Sequence, residues 1–370
     1  MRLVIADIDG ALPRQAPIAS LITSGSAERI DLTDLAPSLR LVASKSAMRE
    51  FLRRIGPRAA SSDCEVFFYG SGDFHHLTAG LVSRVSEPLT ILHFDNHPDW
   101  VRFPRTMNCG AWVNRALELP QVQKVVTIGP ASDDLVRPQW KTANLRAIRD
   151  NRLEVHAWRA PPTKLWGKPL DAPGVATHDG RLVWRNLQDQ DWATAFDDIL
   201  ARLPAGAVWV TIDKDVLGPE EAYTNWDQGA MPLALVLDAL KRTAARRRIV
   251  GVDICGDYSK PKFRDPFRAF LSLTDRARVP EPGAQDMARN AWANDAILKT
   301  LGLLVGRSHD RATAVTEGGR QKGMEGGAPR SARSGTQAEA ARTRAFPQSA
   351  SLAAKAFAPP RPVKEEMRPI

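Results

Sequence analysis

Acidic and imidazole side chains cluster at the ends of two apolar runs in this 370-residue chain. The run LTILHFDNHPDW places Asp95, His97 and Asp99 at alternate positions where a strand would finish. On an extended backbone alternate side chains point to the same side, which is suitable for binding a cation. The run AVWVTIDKDVLGP repeats the pattern with Asp213 and Asp215. Two such sets on neighbouring strand ends would enclose a pair of cations.

A third group of such residues follows a glycine-rich turn. The segment GSGDFHHLT carries Asp73, His75 and His76 between a predicted strand and a predicted helix. Four of the seven histidines fall within 23 residues, namely His75, His76, His93 and His97. In open α/β sheets ligands bind at the carboxyl ends of the strands, where these residues lie. One histidine of the pair is therefore expected to reach the same site.

The donor set indicates which metal and which reaction to expect. Imidazole and carboxylate ligands without a thiolate favour Mn²⁺, Fe²⁺ or Zn²⁺ over Mg²⁺, and the many carboxylates favour Mn²⁺. Two cations about 3.5 Å apart share a water and lower its pKa, which makes metal-assisted hydrolysis the predicted chemistry. The predicted ligands are His75, Asp95, His97, Asp99, Asp213 and Asp215.

The elements that position these residues alternate between strands and helices. Continuous apolar runs indicate strands buried on both faces, as in parallel sheets. Six such runs are LVIAD, EVFFYG, LTILHFD, KVVTIG, AVWVTID and RIVGVD. Segments of helical character cover 47–55, 111–119, 192–203, 232–246 and 285–304. The alternation predicts an α/β fold, a three-layer αβα sandwich with a mainly parallel sheet. Residues 160–190 break the rhythm and are expected to form a long loop or insertion.

Together the motifs resemble those of the arginase/agmatinase superfamily, the ureohydrolases, in a divergent form. Family motifs that read roughly GGDHS, DAHxD and SxDxDxxDP stand here as GSGDFHHLT, DNHPD and TIDKDVLGP. The second and third matches are specific, whereas the first carries one extra residue. The resemblance covers about residues 66 to 258, and it implies an arginase-like αβα fold with a binuclear manganese site.

The resemblance also implies how the ligands are shared between two Mn²⁺ ions. The first ion would be bound by His75, Asp95, Asp99 and Asp213. The second would be bound by Asp95, His97, Asp213 and Asp215. The bridging Asp95 and Asp213 are candidate catalytic residues, since they would flank a metal-bridging hydroxide. Aligning HHLT with the family pattern H-S-x-T favours His75 over His76 as the ligand.

Two departures from the family pattern concern the substrate. A family histidine in an H-G segment assists the chemistry, but the segment NCGAW offers Cys109, the third candidate catalytic residue. The family's late DxxExxP segment becomes DICGDYS, so Gly256 replaces the glutamate that pairs with a guanidinium group. Asp257, one position on, is a candidate substrate-binding residue, as is Trp226 in the loop TNWDQGAMPL. The loss of the glutamate weakens an arginine or agmatine assignment specifically.

The predicted function is that of a manganese-dependent hydrolase cleaving a C–N bond of a guanidino, amidino or amide substrate. Alternatives are a non-catalytic metal-binding descendant and a deacetylase-like amidohydrolase, whose related fold uses one zinc. A further alternative is a phosphatase, because ADIDGAL resembles a nucleophile motif in which Asp7 attacks phosphorus and Asp9 serves as acid and base. That motif would not account for the other strand ends.

The net charge of +9 is concentrated near the C-terminus. Residues 306–370 hold 12 Lys and Arg against 6 Asp and Glu, scattered among Ala, Gly and Ser. This composition predicts a disordered basic low-complexity tail after a metallohydrolase domain over 1–305. No nucleic-acid motif accompanies the charge, so no nucleic-acid partner is expected.

Three cysteines without paired spacing fit a reducing compartment, so a cytoplasmic location is expected. No signal-peptide pattern or long apolar stretch is present, so membrane association is not expected. The expected partner is a small-molecule substrate. Relatives of this kind often oligomerise, and a homo-oligomer stays open.

Overall fold

The computed structural model describes residues 1–58, 64–102, 106–263 and 279–321, with side chains described up to residue 304. The chain divides into two units, Met1–Leu304 and Val305–Ile370. A described helix continues from Ala284 to Gln321, and residues 322–370 lie outside the described residues. The predicted disorder of 306–370 therefore stays a prediction. None of the described helices has the length and apolarity that a membrane span requires.

Thirteen strands occur in the described residues. They are β1 Arg2–Asp7, β2 Glu28–Asp31, β3 Val42–Ala43, β4 Glu65–Phe68, β5 Leu89–Phe94, β6 Met107–Asn108, β7 Val122–Ile128, β8 Leu153–His156, β9 Thr163–Lys164, β10 Val175–His178, β11 Arg181–Trp184, β12 Ala207–Asp213 and β13 Ile249–Cys255. Eight form one sheet in the order β2-β1-β4-β13-β12-β5-β7-β8. All its neighbouring strands pair in parallel.

Helices cover both faces of this sheet. They are α1 Ala16–Thr23, α2 Ala36–Leu39, α3 Lys45–Ile55, α4 Leu77–Val82, α5 Trp112–Leu117, α6 Leu145–Arg149, α7 Trp192–Arg202, α8 Leu233–Arg246 and α9 Ala284–Gln321. Alternate strand residues pack with α2 to α6 in one buried apolar cluster, and with α1, α7, α8 and α9 in another. The fold is therefore the three-layer αβα sandwich that the sequence predicts.

All six predicted strands lie in the main sheet, whereas its two edge strands were not predicted. β2 is the polar segment ERID, largely exposed. β8 is buried but carries Glu154 and His156, which pair with each other at 3.0 Å, while Glu154 also pairs with Lys124 at 2.7 Å. Charged residues interrupt the apolar character of both strands, so a search for apolar runs does not find them. Within 160–190, where a loop or insertion is expected, β9, β10 and β11 form a small antiparallel sheet.

The strand order explains how distant motifs meet. β12 and β13 are inserted between β4 and β5, although both follow them by more than a hundred residues. The carboxyl ends of β4, β12 and β5 therefore lie near one another at the same edge of the sheet, because parallel strands end on the same side. The three predicted motifs follow these three ends.

Candidate metal centre

The side chains of the DNHPD motif, which follows β5, converge through a tight turn. β5 ends at Phe94, and Asp95 Oδ1 at once accepts a hydrogen bond from the backbone N–H of His97 (2.6 Å). Asp99 has a left-handed φ of 46°, and its Oδ2 accepts a hydrogen bond from Trp112 Nε1 (2.6 Å). The turn, rather than the alternation of an extended strand, brings the three side chains together.

The motif that contains Asp213 and Asp215 lies at the end of the adjacent strand, β12. Asp213 ends β12, and its Oδ1 accepts a hydrogen bond from the backbone N–H of Asp215 (3.0 Å). Asp215 Oδ1 accepts another from the backbone N–H of Asn96 (3.0 Å), which ties the two strand ends together. Lys214 points away from this pair, and its Nζ lies 2.7 Å from Asp257 Oδ1.

The structure brings His75, and not His76, into the cluster. His75 Nδ1 lies 2.8 Å from Asp95 Oδ2, 3.4 Å from Asp99 Oδ2 and 3.6 Å from Asp213 Oδ2. His76 is the N-cap residue of α4 and is buried apart from these carboxylates. The extra residue in this motif therefore leaves the first histidine in the position of the ligand.

Gly72 permits the close approach of this turn to β12. A Cβ atom at residue 72 would lie 2.4 Å from Asp213 Oδ2, which is too short for any real contact. A glycine is therefore required where the backbone passes the carboxylate.

Residues behind His75 set its tautomer. Thr211 Oγ1 donates a hydrogen bond to Asp253 Oδ1 (2.7 Å), so its oxygen is left to accept one from His75 Nε2–H (2.8 Å). Nδ1 then faces the carboxylates with its lone pair. It is buried and makes no hydrogen bond of acceptable geometry within the described residues. An imidazole nitrogen facing three carboxylates requires a proton or a metal cation between them.

His93 belongs to the cluster but was not predicted as a site residue. It lies in β5, its Nε2 is 2.9 Å from Asp95 Oδ2, and its ring packs edge-on against His75 with centroids 5.0 Å apart. The two-residue spacing from His93 to Asp95 and the crowding of histidines are the signals that indicate it.

His97 links the cluster to the loop after β12. Its Nδ1 lies 3.0 Å from Asp215 Oδ2, and its Nε2–H donates to Asp227 Oδ1 (3.0 Å). Such a carboxylate partner orients an imidazole so that its other nitrogen can bind a metal. Trp226 packs edge-on against His97 with centroids 5.8 Å apart, and its Nε1 donates to Asp73 Oδ1 (3.1 Å).

Burial and mutual repulsion control the charge of the cluster. Burial, and then repulsion from nearby carboxylates, raises the pKa of Asp99, Asp213 and Asp215. Burial acts in the same direction on Asp95, but the neighbouring histidines hold its pKa well below the usual range. Burial alone would lower the pKa of His75, yet the surrounding carboxylates raise it to about 10. The cluster therefore holds protons that a cation would displace.

The donor set fits divalent cations. In each of three groups of residues, one donor atom per residue lies within 4.8 Å of the donor atoms of the others. The groups are His75, His93, Asp95 and Asp99; Asp95, His97 and Asp215; and His75, Asp213 and Cys255. Asp95 is shared by the first two groups, as a bridging ligand would be. Imidazole with carboxylate oxygen suits Mn²⁺, Fe²⁺ and Zn²⁺.

All six predicted ligands line one open cavity of about 430 Å³, a size suited to a small molecule. Cys109 and Trp226 line it too, while their predicted catalytic and substrate-binding roles stay predictions. At the rim, Lys141 Nζ pairs with Asp133 Oδ2 (2.9 Å).

Asp257, predicted to bind substrate, lies outside the residues lining this cavity. It is fully buried and accepts a hydrogen bond from Gln15 Nε2 (2.6 Å), in addition to its ion pair with Lys214. The reason is the preceding Gly256, which has a left-handed φ of 89° and turns the chain. A Cβ atom at Gly256 would lie 2.4 Å from Asp213 Oδ1. A glutamate at 256 would therefore be strained as well as crowded.

The aspartates of the ADIDGAL segment form ion pairs elsewhere. Asp7 Oδ2 pairs with Arg29 (2.6 Å), and Asp9 Oδ2 lies 3.6 Å from Arg40 in a buried pair. Neither lines the cavity that contains the metal-ligand cluster. The phosphatase interpretation therefore gains no support from this site.

Comparison of the sequence with known proteins gives a distant relative. No family model matches the chain. A Thermotoga maritima protein described as uncharacterized is 27% identical over 192 residues, which make up 52% of this chain and 58% of that protein. The alignment thus spans little more than half of the relative's length.

Comparison with solved structures is more extensive. An arginase from Bacillus cereus covers 81% of this chain and 98% of its own, with a TM-score of 0.50 and 12% identity. A hypothetical agmatinase from Burkholderia thailandensis covers 84% and 87%, with a TM-score of 0.50 and 15% identity. At such identities the similarity establishes the fold and not the reaction. The chain therefore has the same fold as these arginase and agmatinase structures.

Proposed function

We propose that the chain is a manganese-dependent hydrolase that cleaves a C–N bond of a guanidino, amidino or amide substrate. The observation that carries this proposal is the convergence of three carboxylates on the buried Nδ1 of His75, inside a cavity open to small molecules. An arrangement of this kind is costly unless protons or a cation occupy it, and a divalent cation would satisfy several of its donors at once.

The ligands divide into two overlapping sets. His75 and Asp99 would hold one cation, and His97 and Asp215 the other, with Asp95 and Asp213 shared as the family resemblance implies. The group with Asp95, His97 and Asp215 supports two cations rather than the single zinc of the deacetylase-like alternative. When bound, a pair of divalent cations supplies Lewis acidity and activates water near neutral pH.

Residues behind the ligands keep the imidazoles in the binding tautomer. Thr211 accepts from His75 Nε2–H because its own proton goes to Asp253. Asp227 does the same for His97. Both Nδ1 atoms are thereby directed at the carboxylate cluster before any cation binds, which limits the reorganisation that binding requires.

The substrate side of the cavity departs from a guanidinium site. Gly256 carries no side chain, and the Asp257 carboxylate is engaged by Lys214 outside the cavity lining. Cys109 lies at the wall, where an imidazole would have been expected from the family pattern. These features favour a neutral amide substrate over a guanidine, since a guanidinium needs a planar carboxylate partner.

A hydrolysis screen tests this function. The Mn²⁺-loaded protein is incubated with guanidino, amidino and amide compounds, and release of urea and ammonia is measured. Ammonia release from at least one class is expected, and Asp215→Ala should abolish it because the ligand set is broken. An activity untouched by Asp215→Ala would place the reaction elsewhere. No release from any class would favour the non-catalytic descendant.

A further inference from the structure

A buried thiol lies beside the proposed metal ligands. Cys255 is the last residue of β13 and is fully buried. Its register partner on β12 is Asp213, and its S–H donates a hydrogen bond to Asp213 Oδ2, with Sγ and Oδ2 3.2 Å apart. No sequence motif singled out this cysteine as a site residue.

The thiol forms a donor group with the two ligands nearest to it. Cys255 Sγ, Asp213 Oδ2 and His75 Nδ1 all lie within 4.8 Å of one another. Around a cation with bonds of 2.0 to 2.3 Å, neighbouring donor atoms stand about 3 to 3.5 Å apart. The distances from Asp213 Oδ2 to Sγ (3.2 Å) and to Nδ1 (3.6 Å) are close to this range.

The imidazole gives an independent reason to expect a ligand at this place. His75 is 1% exposed, and its Nδ1 makes no hydrogen bond of acceptable geometry within the described part of the chain. Its other nitrogen is already engaged by Thr211, so Nδ1 is the atom aimed into the group.

Gly256 lets the end of β13 approach the carboxylate. A Cβ atom at this position would lie 2.4 Å from Asp213 Oδ1 and 2.5 Å from the backbone nitrogen of Lys214. The glycine that removes the family's guanidinium partner therefore also brings the thiol of the preceding residue close to the metal ligands.

We propose that Cys255 is a thiolate ligand of the cation held by His75 and Asp213, so that this position prefers a thiophilic ion such as Zn²⁺ or Co²⁺ to Mn²⁺. The inference rests on the metal centre proposed above and makes its two positions unequal. On binding, a sulfur–metal bond forms and the S–H proton passes to water. A soft sulfur donor shifts the preference of a site away from Mn²⁺.

Cobalt substitution tests this ligand directly. The metal-free full-length chain is titrated with Co²⁺ alone, and the near-ultraviolet thiolate-to-cobalt charge-transfer absorbance is recorded with the bound cobalt per chain. A charge-transfer band that saturates with the first equivalent is expected. Cys255→Ser should lose the band while still binding cobalt. Cys109→Ser is the matched control, because Cys109 also lines the cavity, and it should keep the band.

The outcomes separate the ligand from the centre. Bound cobalt without a band, or a band that persists in Cys255→Ser, would overturn the thiolate ligand and leave the centre intact. Absence of cobalt binding would overturn both. Should Cys255→Ser fail to fold, X-ray absorption of the wild-type chain loaded with one equivalent of Zn²⁺ decides, since a thiolate gives a sulfur neighbour at about 2.3 Å. A first shell of nitrogen and oxygen only would contradict the proposal.

Discussion

The imidazole of His75 is held between a hydroxyl on one side and carboxylates on the other. Thr211 Oγ1 lies 2.8 Å from its Nε2, and Asp95 Oδ2 lies 2.8 Å from its Nδ1. Groups that orient a ligating imidazole change metal affinity without touching the metal. Thr211 is therefore expected to matter for binding although it is not a ligand.

Thr211→Val should weaken Mn²⁺ binding by about 10- to 100-fold, because the hydroxyl that fixes the His75 tautomer is lost. Isothermal titration of the metal-free protein measures the change. Thr90→Val is the matched control, since Thr90 is buried in the adjacent strand and its Oγ1 has no hydrogen-bond partner among the described residues. Equal affinities for the two variants would contradict this role of Thr211.

Metal binding should release protons. In the metal-free protein the carboxylates raise the pKa of His75 to about 10, so below that pH the ring carries a proton that a cation must displace. Apparent Mn²⁺ affinity should thus rise with pH, by about tenfold per unit for each proton released. Titration calorimetry in buffers of different ionisation enthalpy counts these protons. An affinity that is the same at pH 6 and pH 8 would argue against the proton-filled cluster.

Residue types and spacing predict much of this centre, but not the parts that depend on backbone direction. Asp95, His97 and Asp215 are readable because each belongs to a motif that follows an apolar run. Cys255 carries no such signal, since its position depends on the pairing of β13 with β12. Asp257 looks like a site residue until the left-handed Gly256 turns it away.

Between neighbouring elements, a buried ion pair joins the turn that follows β12 to β13 and α9. Lys214 and Asp257 are both fully buried, and Asn294 of α9 donates to Asp257 Oδ1 (3.2 Å) and accepts from Lys214 Nζ (2.9 Å). The pair connects the ends of β12 and β13 to α9 directly beside the ligands Asp213 and Asp215. The position of the turn therefore depends on a charge pair outside the cavity.

Lys214→Met should lower the free energy of unfolding by about 3 to 5 kcal/mol, because Asp257 would be left buried without its cation. Denaturant unfolding measures this change. Lys299→Met, which removes a lysine that is 70% exposed and paired with Asp295, should have little effect. The double variant Lys214→Met/Asp257→Leu should recover much of the loss. A double variant as unstable as the single one would show that the charge of Asp257 is not the cause.

Strands and helices whose buried residues are apolar could be predicted from the sequence. Those whose buried residues are charged could not. The six apolar strands and the helices α3, α5, α7, α8 and α9 match the predicted segments. β8 was missed because its buried face carries a charge pair, Glu154 with Lys124. The segment that follows β5 was predicted as extended. The structure instead has a turn, closed by Asp95, that brings the side chains of Asp95, His97 and Asp99 together.

In the whole molecule, the candidate site depends on the order of the strands in the sheet and not only on which strands form. Alternating strands and helices predict the sandwich, but apolar runs do not reveal that β12 and β13 lie between β4 and β5. That order follows from packing across long sequence separations, which local patterns do not encode. The family resemblance implied the αβα architecture, which the arginase structure from Bacillus cereus shares, and no strand order was predicted.

Metal counting tests most directly whether this fold holds a binuclear centre. The purified full-length chain is freed of metal, loaded with Mn²⁺, passed through a desalting column and assayed for metal and protein. About two Mn²⁺ ions per chain are expected, because the ligands form two overlapping sets. The matched variant Asp215→Asn should retain about one, since it disrupts one set only. Fewer than one ion per wild-type chain would contradict the binuclear centre.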